Sequence, residues 1–185
     1  MGWWTPERQR YAMQYLIAHG GLSVYGAAGL VSRWANVEST GGGTAAVNPS
    51  SGAFGIAQWL GSRKRGIYPN TNFDAQLAYA IQELNGSEYR AGNVLRKAGD
   101  ANTAAIGASV YERAEGYNAN TGRDNFTART AAGIPQALAY LGGTQDLALS
   151  IQNNTQAGAV AVGLGGAGAL LLIGGLVLAY YLLSD

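Results

Sequence analysis

Between Ala157 and Leu183 the chain runs for about 27 residues without a charged side chain, AGAVAVGLGGAGALLLIGGLVLAYYLL. As a helix rising about 1.5 Å per residue, that length exceeds a hydrocarbon core of roughly 30 Å. Core helices of water-exposed domains are usually shorter and broken by polar residues, so the run predicts a membrane-spanning helix, followed only by Ser184 and Asp185. Ala157, Ala161, Gly165 and Ala169 recur every four residues. They form either a flat strip where a second backbone packs closely in lipid or simply the small residues common in spanning helices. Tyr180 and Tyr181 near its far end suit the headgroup layer. The nearest upstream charges, Asp146 and Arg129, are too sparse for the positive-inside rule to assign an orientation. The opening MGWWTPERQRYAMQYL has no basic stretch leading into an apolar one. A delivery route other than signal-directed export is therefore expected.

What the rest of the chain can do chemically is bounded by what it lacks. With no Cys and one His, no disulfide, thiolate nucleophile, Cys-ligated zinc or multi-His metal site is available. No metal or other cofactor is expected. Twelve Lys+Arg against eleven Asp+Glu leave a formal charge of +1, which argues against dedicated nucleic-acid binding. An enzyme built from these residues would work through carboxylates.

Thr5-Pro6-Glu7 reads as a cap, a first helical position and a dipole-favoured acid. The helix it opens carries Tyr11, Tyr15 and Ala18 on one face and stops at Gly20-Gly21. A second helix is expected after Ser23, through Ala27, Leu30, Val31 and Trp34 toward Glu38. The Gly/Pro/Ser segment 40–52 then reads as loop or hairpin, and GAFGIAQWL as a tight buried turn or short strand. Thr71 and Asp74 look like a capping box ahead of a helical stripe from Phe73 to Leu84, closed by Asn85-Gly86. Two short helices follow, about 87–98 and 101–113, with Asp100 as cap of the second. A last helix after the loop GYNANTGRDN is expected to break at Ile134-Pro135, leaving 135–156 as a tether. The fold class predicted is mainly α: a small helical domain over 1–134 with a loop or hairpin insertion, a linker over 135–156 and a transmembrane helix over 157–183.

Glu38 closes an apolar helix, VSRWANVEST, next to the Gly-rich loop. The negative end of the helix dipole and neighbours such as Trp34 and Val37 disfavour its ionised form, as a proton donor near neutrality requires. Glycoside cleavage needs such an acid on the leaving oxygen. Glu38-Ser39 followed by Gly55-Ile56-Ala57-Gln58 resembles the lysozyme-like superfamily of goose-type lysozymes and lytic transglycosylases. The fuller run WANVEST, NPSSGAFGIAQWLGSRKRG, FDAQLAYAIQELN and YERAEGY is similar to the phage tail lysozyme group and related virion-associated muralytic domains, over roughly Thr5 to Gly133.

The resemblance implies an α+β lysozyme-like domain in which Glu38 is the catalytic acid/base, and Ser39 positions it or the substrate. Gln58 would line the cleft, with Tyr111 near the catalytic carboxyl. Ile56-Ala57 departs from the Leu-Met of the wider superfamily, and Tyr111 matches by local motif alone. Trp59 is expected either to stack on a sugar or to pack in the core. Of the other acids, Asp74 reads as a cap, Glu83 as a solvated helix position and Glu112 as part of a Glu-Arg surface cluster. No second carboxylate is thus expected beside Glu38, which favours a lytic transglycosylase over a hydrolytic lysozyme. Arg63-Lys64-Arg65 reads either as a solvated helix start or as a contact for anionic peptidoglycan or lipid. His19 reads as a cation at a helix end.

A wall-cutting domain on a C-terminal anchor implies a virion-associated enzyme of a membrane-containing phage. Its partners would be peptidoglycan glycan strands, the lipid bilayer through 157–183, and further copies or other virion membrane or capsid proteins. It would sit in the virion membrane, act on host periplasmic peptidoglycan and assist genome ejection. The rival expectations are a non-catalytic conduit protein and a holin-like pore former.

Overall fold

The computed structural model describes residues 2–39 and 41–142. The expected span 157–183 and most of the expected tether lie outside them. Among the described residues no helix is long and apolar enough to cross a membrane.

Among the described residues there are seven α-helices: α1 Pro6–Gly20, α2 Val24–Arg33, α3 Gly61–Arg65, α4 Phe73–Asn85, α5 Tyr89–Lys97, α6 Ala101–Glu112 and α7 Thr127–Leu141. Most starts are written as caps. The side chains of Thr5, Ser23 and Asp100 accept from the backbone N–H groups of Arg8, Gly26 and Thr103. The cap of α4 is Asn72, which accepts from Ala75 N, and not Thr71. Asp74 instead accepts from the Tyr11 hydroxyl at 2.7 Å and ties α4 to α1.

Helix α2 is the axis of the fold. Every residue from Gly26 to Arg33 is buried, as a helix apolar on all sides must be. It packs against α1, α5, α6 and α7. Glycine makes this approach close: a Cβ at Gly26 would lie 1.9 Å from the carbonyl oxygen of Leu95 on α5. Leu30, Val31 and Trp34 complete the core with Met13, Leu16, Leu77, Leu84, Leu95 and Ile134.

The break expected at Ile134-Pro135 does not occur, because α7 carries Pro135 inside it and runs on to Leu141. Proline forfeits one helical hydrogen bond, but Ile134, Ala137 and Leu141 bury a continuous stripe against the core. The compact unit accordingly reaches Gly142. The Gly-rich insertion is a short 3-10 turn, Gly43–Ala45, followed by a minimal antiparallel arrangement in which Phe54 bridges both Val47 and Trp59.

Candidate active site

A buried helix that ends in polar residues must find partners for them. At the end of α2, the Ser32 hydroxyl donates to Thr130 O at 2.8 Å. The fully buried Arg33 forks onto Asp124, Nη1 to Oδ1 at 3.0 Å and Nη2 to Oδ2 at 2.9 Å. Its Nε donates to Glu38 Oε1 at 2.6 Å.

That last contact depends on a change of helix type. Residues Trp34–Glu38 form a π-helical turn, closed by Ser39 N–H on Trp34 O at 3.0 Å. In an α-helix, residues five apart lie about 140° apart around the axis. In a π turn the i→i+5 bond brings them to one side. Arg33 and Glu38 are five apart, and the π turn makes them partners. Ser39 is buried, accepts from Trp4 Nε1 at 2.9 Å and donates to Trp34 O at 3.3 Å. It fastens the turn and offers no surface to a substrate.

Glu38 keeps 15% of its side-chain surface, and Oε2 has no protein partner among the described residues. Burial pushes its carboxyl up, against the pull of Arg33, with the charge of Asp124 adding and that of Arg63 opposing. Burial alone would also raise Asp124, but the Arg33 fork, the Phe126 N–H and the Thr127 hydroxyl hold it below the ordinary range. Arg33 in turn keeps its charge: burial works against it, yet its two carboxylate partners hold its proton more tightly than usual.

Behind the Gly-rich insertion lies a second buried network. Glu83, 5% exposed and not solvated as expected, accepts from Arg63 Nε at 2.7 Å and Nη2 at 2.9 Å. It also accepts from the Tyr111 hydroxyl at 2.6 Å and Trp59 Nε1 at 2.8 Å. Trp59 and Tyr111 have no exposed surface. Trp59 therefore cannot stack on a sugar and takes the packing alternative. The Tyr111 hydroxyl, expected near Glu38, donates to Glu83. In the basic run the half-buried Arg63 pairs with Glu83 and the half-buried Lys64 donates from Nζ to Gly52 O at 2.7 Å, while Arg65 is exposed.

Gln58 sits in the loop between the paired residues Phe54 and Trp59. It is half-buried, at a left-handed φ of 47°, and its amide donates to Gly55 O at 2.9 Å and Ala46 O at 3.3 Å. Its Oε1 has no partner among the described residues. The loop is pinned from below by the buried Gln76, which accepts from Ile56 N at 3.0 Å and donates to Thr44 O at 2.8 Å. Gly55, at φ 78°, is the one residue type that fits there, because a Cβ would come within 2.8 Å of Gln76 Oε1.

Glu112 corrects the sequence reading most. Arg113 pairs with Glu88, so there is no Glu112-Arg113 surface cluster. Glu112 is instead half-buried, and the indole of the core residue Trp34 donates from Nε1 to its Oε1 at 2.8 Å. Burial, followed by the negative charge of Glu38, pushes its carboxyl up to about 8. Four carboxyl groups (Glu38, Glu83, Glu112, Asp124) and two guanidinium groups (Arg33, Arg63) thus share this region. Glu112 and Asp124 were hidden in the sequence because each meets its partner through a contact between residues 78 and 91 apart. The available signal was Arg33, a charge inside an otherwise apolar helix. Among the described residues no cluster of three or more His, Asp or Glu is set to hold a metal ion.

No curated protein and no solved structure matches this chain. The phage tail lysozyme family matches residues 7–134, a stretch that contains Glu38, Gln58, Arg63, Glu83, Glu112 and Asp124. With more than half of its 185 residues matched, the chain belongs to the phage tail lysozyme family, a lysozyme-like group of peptidoglycan-degrading phage proteins.

Proposed function

We propose that this protein cleaves the β-1,4 bond between N-acetylmuramic acid and N-acetylglucosamine as a lytic transglycosylase, with Glu38 as acid and then base. One observation carries the reading. Glu38 is a partly exposed carboxyl whose Oε1 rests on a buried guanidinium and whose Oε2 is left without a protein partner. Burial favours the proton on Glu38 before reaction, and Arg33 stabilises the carboxylate once the proton has gone to the leaving oxygen. The carboxylate then takes the proton of the muramic C6 hydroxyl as C6–O closes on C1, which gives a 1,6-anhydro product.

Hydrolysis would call for a second free carboxylate to activate water or trap the sugar. The neighbours support the one-carboxylate route. Asp124 and Glu83 are each locked by a guanidinium, and Glu112 favours its neutral form near neutral pH. Mass spectrometry of muropeptides released from purified murein tests this. Anhydro ends, lighter than reducing ends by one water, are expected, and reducing ends would assign the protein as a hydrolase.

We further propose that residues 157–183 anchor the enzyme in the membrane of a virion, where it opens host periplasmic peptidoglycan for genome entry. The uncharged run supports this reading. Tethering raises local enzyme concentration at the wall. Flotation of the full chain with liposomes, lost on deletion from Ala157 onward, is the expected result.

A further inference from the structure

Trp3 and Trp4 stand ahead of α1, outside residues 7–134 that the family matches and without a part in the proposed reaction. A buried indole needs an acceptor for its N–H. Trp4 is buried, and its Nε1 donates to Ser39 Oγ at 2.9 Å. That contact spans 35 positions of sequence and lands on the residue after Glu38.

Both tryptophans are held from several sides. The Trp4 ring stacks beside Trp34, which opens the π turn, with centroids 6.5 Å apart. From the first turns of α1, Gln9 Nε2 donates to Trp4 O at 3.1 Å and Arg8 Nη1 to Trp3 O at 2.7 Å. Trp3 meets Trp4 and Phe73 of α4 edge to face, at 5.1 and 5.0 Å. Its ring also fills the space over Gly43, where a Cβ would lie 1.9 Å from the indole Cδ2. The N–H groups of Gly42 and Gly43 each donate to Ser39 O at 3.1 Å. Ser39 is thus gripped twice, by Trp4 on its hydroxyl and by Trp3 through Gly43.

The Ser39 hydroxyl bears on the type of turn. A hydroxyl has one proton to give and two sites that accept. With the indole N–H on an accepting site, the proton goes to Trp34 O at 3.3 Å, the oxygen that Ser39 N–H reaches at 3.0 Å. Both bonds join residues five apart, and both favour the π turn. In an α-helical turn Trp34 O would accept from Glu38 N–H instead, and Arg33 and Glu38 would stand about 140° apart.

We propose, on the reading of Glu38 as the acid, that Trp4 is a positioning residue: through Ser39 Oγ it holds the π turn that keeps Glu38 on Arg33, with Trp3 bracing it against Gly43. Proton transfer needs the carboxyl within hydrogen-bond reach of the leaving oxygen, whereas binding draws on many contacts along a glycan. Loss of the indole donor should therefore fall on kcat and spare KM.

The test uses two full-chain variants. Trp4→Phe keeps an aromatic ring beside Trp34 without the N–H, and Ser39→Ala removes the hydroxyl. Each should lower kcat on soluble murein fragments by about tenfold to a hundredfold, with KM within about twofold of wild type. The double variant should stay within about threefold of the weaker single one, because both changes break one chain of bonds. An unchanged kcat, a KM that rises in step, or losses that multiply would overturn the proposal.

NMR of the full chain in detergent supplies a readout without activity. Arg33 Nε–H donates to Glu38, whereas the Nη groups donate to Asp124. Its signal, assigned through the Arg33 side chain, should exchange with water at least about tenfold faster in both variants than in wild type. Equal exchange in all three would refute the positioning role even if kcat had fallen, and would leave Trp4 a packing residue. Should Trp4→Phe fail to fold, Ser39→Ala decides on both measurements. If the wild-type chain cuts no murein, the transglycosylase reading fails, and exchange at Arg33 still decides whether Trp4 holds the turn.

Discussion

Replacing Arg33 by Met tests how the site is held together. Arg33 has no exposed surface and neither has the Asp124 side chain, while Glu38 keeps 15%. Methionine fills a similar volume but leaves two carboxylates without their cation. Breaking a buried pair from one side costs about 3–5 kcal/mol. For a domain of this size, that corresponds to a fall in melting temperature of about 10–20 °C. The pH dependence identifies the cause. In wild type the pKa of Asp124 is held below its ordinary value. Its stabilisation is therefore present above the unfolded pKa of about 3.9 and is lost as pH falls through the folded value. Without Arg33, burial is opposed only by the Phe126 N–H and the Thr127 hydroxyl at Asp124 and by Arg63 at Glu38, and both carboxyls rise. The variant should then regain stability as pH falls from 7 to 5, and its gap to wild type should narrow by at least about 1 kcal/mol. Calorimetric unfolding at the two pH values measures this. A gap below about 1 kcal/mol at pH 7, or one unchanged at pH 5, would refute the idea that Arg33 neutralises buried acids.

Three further outcomes are expected. Trp59→Phe removes the indole donor to Glu83 and should lower stability by about 1–2 kcal/mol while leaving KM for murein fragments unchanged; a raised KM would return Trp59 to the glycan. Gly26→Ala drives a Cβ against the Leu95 carbonyl and should destabilise by more than about 2 kcal/mol, seen as a lowered denaturant midpoint, unlike an Ala placed in an open helix. The folded pKa of Glu112 lies above its unfolded value, so its stabilisation is complete below about pH 4 and is lost as pH rises toward about 8. Wild-type melting temperature should fall over that window, and Glu112→Gln should flatten the fall.

Local chemistry was legible in the sequence and long-range pairing was not. Thr5, Ser23 and Asp100 announce helices because a cap contacts a backbone three residues on. Pro135 misled because its local penalty is overridden by the burial of Ile134, Ala137 and Leu141, a tertiary effect. Glu83 and Glu112 look like surface residues for the same reason: the arginine and the indole that receive them lie on other elements. Glu38 stood out through its place at the end of an apolar helix. The π turn that joins it to Arg33 left no mark in composition or periodicity.

The most direct measurement compares the full chain with its Glu38→Gln variant on purified murein, scoring soluble fragments released at pH 7 after both proteins are shown to melt cooperatively. The account predicts release by wild type and at least about a thousandfold less by the variant, since the amide has no proton to give to the glycosidic oxygen. Release by the variant at a rate near that of wild type would contradict it, and the acid would have to be sought elsewhere in the fold.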